Sequence, residues 1–424
     1  MEINRITGPP IKPLEDIKLP EVSFYTLSNG IPVYEINSGT QDAFKIEILT
    51  VGGRLLEDKK LVSRAASVLI KDATEDYSQK ELAHQLDFYG ATLSSKFNMD
   101  VTSLILFSLG KYGEELIPIL ASIYLRPLFQ QSEFENFIER NINNLNIELT
   151  KNDVLAYREF TESIFGEDHI YGFNSTPKHY KDLTSEDVRF HYNTYYGTAN
   201  TVIILSGKIS DGLKKVIDRE LGQFKKPTNL KQYIPSKVPM IQNTIKLKGK
   251  SVAQDSVIIG RRLFDKEHLD YPKMIVTNTI LGGYFGSRLM KSVREDKGFT
   301  YNISSFLEML KYDGFFYIST DVDPNNTEKT ISEIYRQIEI LTQKKISDGE
   351  LQMVKNYIMG NVLNMLDGPF RISNWVKSLI THDISLLKGH ETIYQMNYCT
   401  GQDVQEMAAK YLQKENLTEL IVTI

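Results

Sequence analysis

Arg294 and Tyr301 stand seven residues apart, close behind three glycines, Gly282, Gly283 and Gly286. A guanidinium is a planar cationic fork of donors, and a phenol offers one O–H donor. Together they could bind a peptide carbonyl or a developing oxyanion. The glycines supply backbone freedom where the chain turns or approaches another backbone closely. The same spacing also suits an ordinary helix-to-strand junction in which the pair only packs.

The stretch that must position this pair is LGGYFGSRLMKSVREDKGFTY, residues 281–301. It reads as a glycine turn, a short helix, a glycine stop and the start of a strand. Ser287 is placed to cap the helix. Leu289, Met290 and Val293 form its apolar face. Lys291, Arg294 and Lys297 fall late, where the helix dipole favours cations. Gly298 ends it, and Tyr301 opens a β-prone run.

The chain has 424 residues with 41% hydrophobic and 24% charged, so it is globular and long enough for two domains. A net charge of −5 gives no electrostatic reason to expect nucleic acid or an anionic membrane. No run of about 18 apolar residues occurs, and the N-terminus lacks the apolar core of a secretory signal. One cysteine, Cys399, excludes internal disulfides and reads as a small buried residue. These features predict a cytoplasmic protein.

In order, residues 1–21, with four prolines, read as an extended lead-in. Strands follow over 22–51, with an Asn29-Gly30 hairpin signal. Helices are predicted over 61–71, 76–89 (Gly90 as the stop), 116–124, 133–149 and 155–165. Thr184 with Asp187 reads as a capping box opening another helix to Tyr196. An apolar strand spans 200–206. Residues 224–243, with three prolines and four lysines, read as a linker. Beyond it the pattern recurs. Thr184, Asp187, Val188, Tyr195 and Asn200 return as Thr400, Asp403, Val404, Tyr411 and Asn416, each at an offset of 216. Glu133, Phe134 and Phe137 return as Glu350, Leu351 and Val354 at 217. Two copies of one unit are predicted: domains at 22–223 and 244–424, each α+β, an antiparallel sheet with helices on one face.

Five stretches resemble the pitrilysin-type metallopeptidases, which include insulin-degrading enzyme and the mitochondrial processing peptidase. They are SNGIPVYEI, VGGRLLEDKKLVSRAASVLIKDAT, ELAHQLDFYGATLS, the segment from FGEDHIYG to VIILSG, and LGGYFGSRLMKSVREDKGFTY. The resemblance runs from about Val22 to the C-terminus. It implies two homologous domains forming half of a clam-shell chamber. Active members carry an inverted zinc motif, H-x-x-E-H, on the first helix. Aligned through Ala73-Thr74, that motif falls on residues 64–68. Arg64 stands for the first histidine, Ser67 for the glutamate base and Val68 for the second histidine. The family's third ligand, a glutamate, falls near Asn146. None of the four is a zinc ligand. The seven histidines (His84, His169, His179, His191, His268, His382 and His390) include no pair at helical spacing, and His169 reads as structural.

By the same resemblance, Arg294 and Tyr301 match the pair that the family's C-terminal domain brings to substrate, and Gly282, Gly283 and Gly286 match its glycine-rich loop. The implied function is a non-catalytic, substrate-binding subunit of a heterodimeric zinc peptidase. Its partner would be a homologous H-x-x-E-H subunit, its substrate a peptide, and zinc would reside in the partner with no cofactor in this chain. The alternative is an inactive scaffold homologue with no part in cleavage. No P-loop, dinucleotide fingerprint or nucleophile elbow points to another enzyme class.

Overall fold

The computed structural model describes residues 17–224, 233, 244–250 and 253–424. Most of the expected linker, 224–243, and most of the lead-in lie outside them.

The first half forms a six-stranded sheet. Its strands are β1 Ser23–Thr26, β2 Pro32–Asn37, β3 Ala43–Val51, β4 Thr92–Phe97, β5 Val101–Leu109 and β6 Thr201–Gly207, in the order β1-β2-β6-β3-β5-β4. Its helices are α1 Val62–Leu69, α2 Gln79–Phe88, α3 Gly113–Leu125, α4 Gln131–Glu148, α5 Asn152–Phe165, α6 Pro177–Lys181, α7 Ser185–Tyr195 and α8 Asp211–Leu221. The second half repeats this plan with five strands: β7 Thr244–Lys248, β8 Asp255–Leu263, β9 Thr300–Met309, β10 Gly314–Val322 and β11 Thr418–Thr423, in the order β7-β11-β8-β10-β9. Its helices are α9 Tyr271–Leu281, α10 Thr327–Gln343, α11 Asp348–Met365, α12 Pro369–Thr381, α13 Leu386–Tyr398 and α14 Gly401–Tyr411. In each sheet one pair is parallel, β2 with β6 and β11 with β7, and the remaining pairs are antiparallel.

The recurring residues make recurring contacts. Thr184 and Thr400 each close a capping box with the Asp three residues on. Asp187 then takes Lys59 at 2.6 Å and Asp403 takes Lys273 at 2.6 Å. Tyr195 donates to Asp58 at 2.8 Å and Tyr411 to Asp270 at 2.7 Å. The repeat is therefore a packing unit in which α7 is pinned to the α1 entry and α14 to the α9 entry.

Strand alternation shows how each sheet is covered. Phe44, Ile46 and Ile48 of β3 face the first half's own helices, while Leu49 joins the other half's core. That second face receives α12. Likewise Ile258, Phe315, Tyr317 and Leu420 of the second sheet pack on Ala156 and Phe160 of α5, from the first half. Each half thus has its own helices on one face of its sheet and one helix from its counterpart on the other. Burying both faces explains β3, whose nine residues are nearly all buried.

Under α12 the exchange is polar. Glu47, 1% exposed, accepts from Lys377 of α12 at 2.6 Å and from Lys45 at 3.3 Å. Lys45 also donates to Asn374 at 3.2 Å, and Lys377 to Ser103 at 2.9 Å. Burial pushes the Glu47 carboxyl up, but the two ammonium groups and Ser103 outweigh it and hold it below the usual range.

Most predicted helices appear close to their expected bounds. One begins later: α2 starts at Gln79, capped by Ser78 with Glu81, whereas Asp76 accepts from Ser122 at 2.6 Å and pairs with Arg126. The Asn29-Gly30 hairpin forms with Gly30 at φ +88°, and Gly90 ends α2 at φ +60°.

Candidate functional site

The segment from Leu281 to Tyr301 links α9 to β9, the edge strand of the second sheet. Its glycines are demanded by close approach. A Cβ at Gly282 would lie 2.7 Å from the Ser305 backbone nitrogen, and one at Gly283 2.7 Å from Thr279 Cα. A Cβ at Gly286 would lie 2.8 Å from the Tyr284 ring. Ser305 N–H donates to the Gly282 carbonyl at 3.0 Å, which fastens the turn to β9. Gly282, Gly283, Tyr284 and Phe285 then wall one side of an open cleft of about 540 Å3, and Ser304 to Leu307 of β9 wall the other.

The expected short helix is a π-helix over Met290–Asp296, not an α-helix. Leu289, Met290 and Val293 are buried, as their pattern predicts. Ser287 does not cap it. Its Oγ is buried and finds no partner among the described residues. Gly298, at φ +63°, ends the segment, where Phe299 N–H reaches back to the Val293 carbonyl at 3.0 Å. Wide π turns recur at functional positions because they re-aim side chains, and Arg294 is on this one.

A β-bulge does the same for Tyr301. Ile303 pairs with Thr320 and Thr300 with Val322, so Tyr301 and Asn302 together face Asp321 alone. The bulge leaves Tyr301 83% exposed. The Arg294 guanidinium carbon sits 5.1 Å from the Tyr301 ring centroid and 5.0 Å from that of Phe285. The cation is held between two exposed rings and pairs with no carboxylate among the described residues. The structure therefore brings Arg294 and Tyr301 together beside the glycine loop. Sequence reasoning missed Phe285. The signal was available, since an aromatic stands inside the glycine loop itself.

The degenerate motif positions lie on α1. Arg64 donates to Asn141 of α4 at 3.1 Å. Ser67, 2% exposed, donates to the Lys96 carbonyl of β4 at 3.3 Å. Val68 packs at the edge of the first core. Asn146 is exposed, so the α4 residue that meets Arg64 is Asn141. A guanidinium, a hydroxyl turned to a backbone carbonyl, a valine and an amide are not a zinc donor set. Among the described residues no group of three His, Cys, Asp or Glu could hold a metal. His169 is buried and stacked on Phe165 at 5.0 Å, and burial pushes it down to about 4. It accepts from Tyr171 N–H at 3.1 Å, a structural part. Cys399 is buried, and its thiol is pushed up to about 12 by burial, so it is unreactive. No helix among the described residues is long and apolar enough to cross a membrane.

Comparison with known proteins agrees with these features. Residues 182–358 match the family described as Peptidase M16 inactive domain. The uncharacterized zinc protease YmxG of Bacillus subtilis is 22% identical over 351 residues, 81% of this chain and 84% of that protein. The non-peptidase homolog YmxG of Helicobacter pylori is 21% identical over 341 residues, 78% of this chain and 77% of that one. Among solved structures, a peptidase M16 inactive domain from Pseudomonas fluorescens superimposes with a TM-score of 0.87 at 18% identity, covering 95% of this chain and 98% of that one. A protease from Helicobacter pylori gives 0.86 at 16% identity, covering 96% and 100%. Over most of its length the chain is thus similar to M16 peptidases and their inactive or non-peptidase homologues, and it shares the fold of the solved M16 structures.

Proposed function

We propose that this chain is the substrate-binding, non-catalytic subunit of a heterodimeric zinc peptidase, completed by a homologous H-x-x-E-H subunit and acting on peptides in the cytoplasm. The observation that carries the reading is the contrast between two sites. On α1, each zinc-motif position has been given to packing or to a hydrogen bond within the fold. At the glycine loop, a π turn and a bulge set a half-buried cation against an exposed phenol, and the cation has no carboxylate partner among the described residues. In this proposal zinc belongs to the partner, and no step on this chain passes through a metal.

The chemistry of this chain is then electrostatic. Tyr301 donates its O–H to the oxygen of the scissile carbonyl as that oxygen gains charge. Arg294, fixed between Phe285 and Tyr301, orients the phenol and donates to the substrate backbone. The cleft between the glycine loop and β9 offers the peptide two backbone-rich walls.

Tyr301→Phe is the sharpest test, because it keeps the ring that stacks on Arg294 and removes only the O–H. Losing one oxyanion donor costs on the order of 100-fold in turnover. The complex of this chain with its partner should assemble normally and lose about that factor in kcat. Equal kcat in wild type and variant would leave the scaffold reading in place.

A further inference from the structure

Behind the glycine loop lies a second cavity, of about 330 Å3, between α9, α11, α12 and α13. It shares Tyr271, Ile275 and Gly283 with the loop's cleft. α9 and α11 are the second half's counterparts of α1 and α4, the pair that Arg64 and Asn141 bridge in the first half. Here no such bridge closes the gap. The wall is mostly apolar, with Val362, Met365, Trp375, Ile393 and Met396 prominent.

One charge faces this apolar space. Lys266 donates to Ser378 Oγ at 2.7 Å and lies 6.0 Å from the Tyr271 ring centroid. It forms no ion pair among the described residues, and the lining includes no Asp or Glu. Tyr271 and Tyr357 are the other titratable groups on the lining, and His382 lies near the lysine from α12. Burial alone pushes the Lys266 amine down to about 8. An ammonium on an apolar wall with one hydroxyl for company is a costly arrangement, and an anion is what relieves it. A pocket with an apolar body and one placed charge is the ordinary form of a small-molecule site.

We propose that this cavity binds a small amphipathic carboxylate, its head group on Lys266 and its hydrocarbon body along Val362, Met365, Trp375, Ile393 and Met396. At about 30 Å3 for each water-sized share, the space suits a ligand of roughly ten non-hydrogen atoms. Octanoate is a suitable probe. The site is independent of the peptidase-subunit reading, although Gly283 puts its occupant directly behind the substrate loop.

Trp375 is the chain's one tryptophan, so its fluorescence reports on this cavity. Octanoate, 1-octanol and octylammonium are titrated against the full-length protein, with calorimetry in parallel. Octanoate should give a saturable one-to-one change, and 1-octanol should bind about tenfold to a hundredfold more weakly, as loss of a charge-assisted hydrogen bond predicts. Octylammonium should not compete. Lys266→Met should bring octanoate and 1-octanol to equal affinity, and Val362→Phe, which fills the cavity, should abolish binding of both. Equal affinity for octanoate and 1-octanol in wild type overturns the proposal. So does the absence of a saturable signal by either method, or unchanged octanoate binding in Val362→Phe. The wild-type comparison decides the matter even where a variant fails to fold.

Discussion

Replacing Glu47 by Gln removes the one anion between Lys45 and Lys377. Both ammonium groups lie within 3.3 Å of the carboxylate, and the residue is 1% exposed. Gln keeps the shape and one acceptor, so packing changes little. What remains is two buried cations without a counter-charge, a defect worth about 3–5 kcal/mol. Total stability of a domain is on the order of 5–15 kcal/mol, so the loss is large. Melting followed by circular dichroism or calorimetry should fall by roughly 6 to 20 °C. Because Lys377 arrives on α12 from the other half, both sheets should lose cooperativity together. The acid limb gives a second readout. Glu47 is held below its usual range in the fold. Its contribution is therefore complete above the unfolded value, about 4.3, and is lost as pH falls through the lower folded value. Glu47→Gln should flatten that part of the stability curve. Lys45→Met with Glu47→Met and Lys377→Met should recover most of the loss, since an apolar replacement carries no unpaired charge. A Glu47→Gln variant within about 0.5 kcal/mol of wild type would refute the argument that this trio ties the halves together.

Three further outcomes follow from the geometry. Gly282→Ala should destabilise by about 1–3 kcal/mol, because its Cβ meets Ser305, whereas Gly360→Ala, mid-helix in α11 with no neighbour in reach, should stabilise by about 0.5–1 kcal/mol; urea unfolding separates the two. Thr184→Ala and Thr400→Ala should cost about 1 kcal/mol each, equal effects being what a shared packing unit requires. Arg294→Lys keeps the charge but loses the planar stack with Phe285 and Tyr301, so in the assembled complex KM for peptide should rise while melting shifts by a degree or two at most.

The repeat was legible because it is written in residues that act locally and identically twice. Thr184 and Thr400 cap, Tyr195 and Tyr411 reach an aspartate, and both outcomes follow from residue type and place. The exchange of α5 and α12 between halves was not legible. It depends on which sheet face is left open, and alternation within one strand does not name the helix that covers it. The α+β class was readable from mixed periodicities, whereas the parallel β2–β6 and β7–β11 pairs join strands far apart in sequence. At the site, the Arg294–Tyr301 spacing was visible, but the π turn and the bulge were not. Both add a residue to a regular element, and the apolar pattern Leu289, Met290, Val293 fits either helix type. Ser287 illustrates the converse. Its type suited a cap, and burial under the loop turned it elsewhere. Lys266 stood in no motif, since its meaning comes from the apolar wall four elements bring to it.

The central claim is that this chain is one half of a split peptidase. Its most direct test is recovery of the tagged protein from its native cell, with zinc content and peptide cleavage measured on what is recovered. The account predicts a second chain of similar size carrying H-x-x-E-H, about one zinc per pair, and chelator-sensitive cleavage that Tyr301→Phe lowers about 100-fold. Recovery of the chain alone, or in a larger assembly without zinc or cleavage, would contradict it.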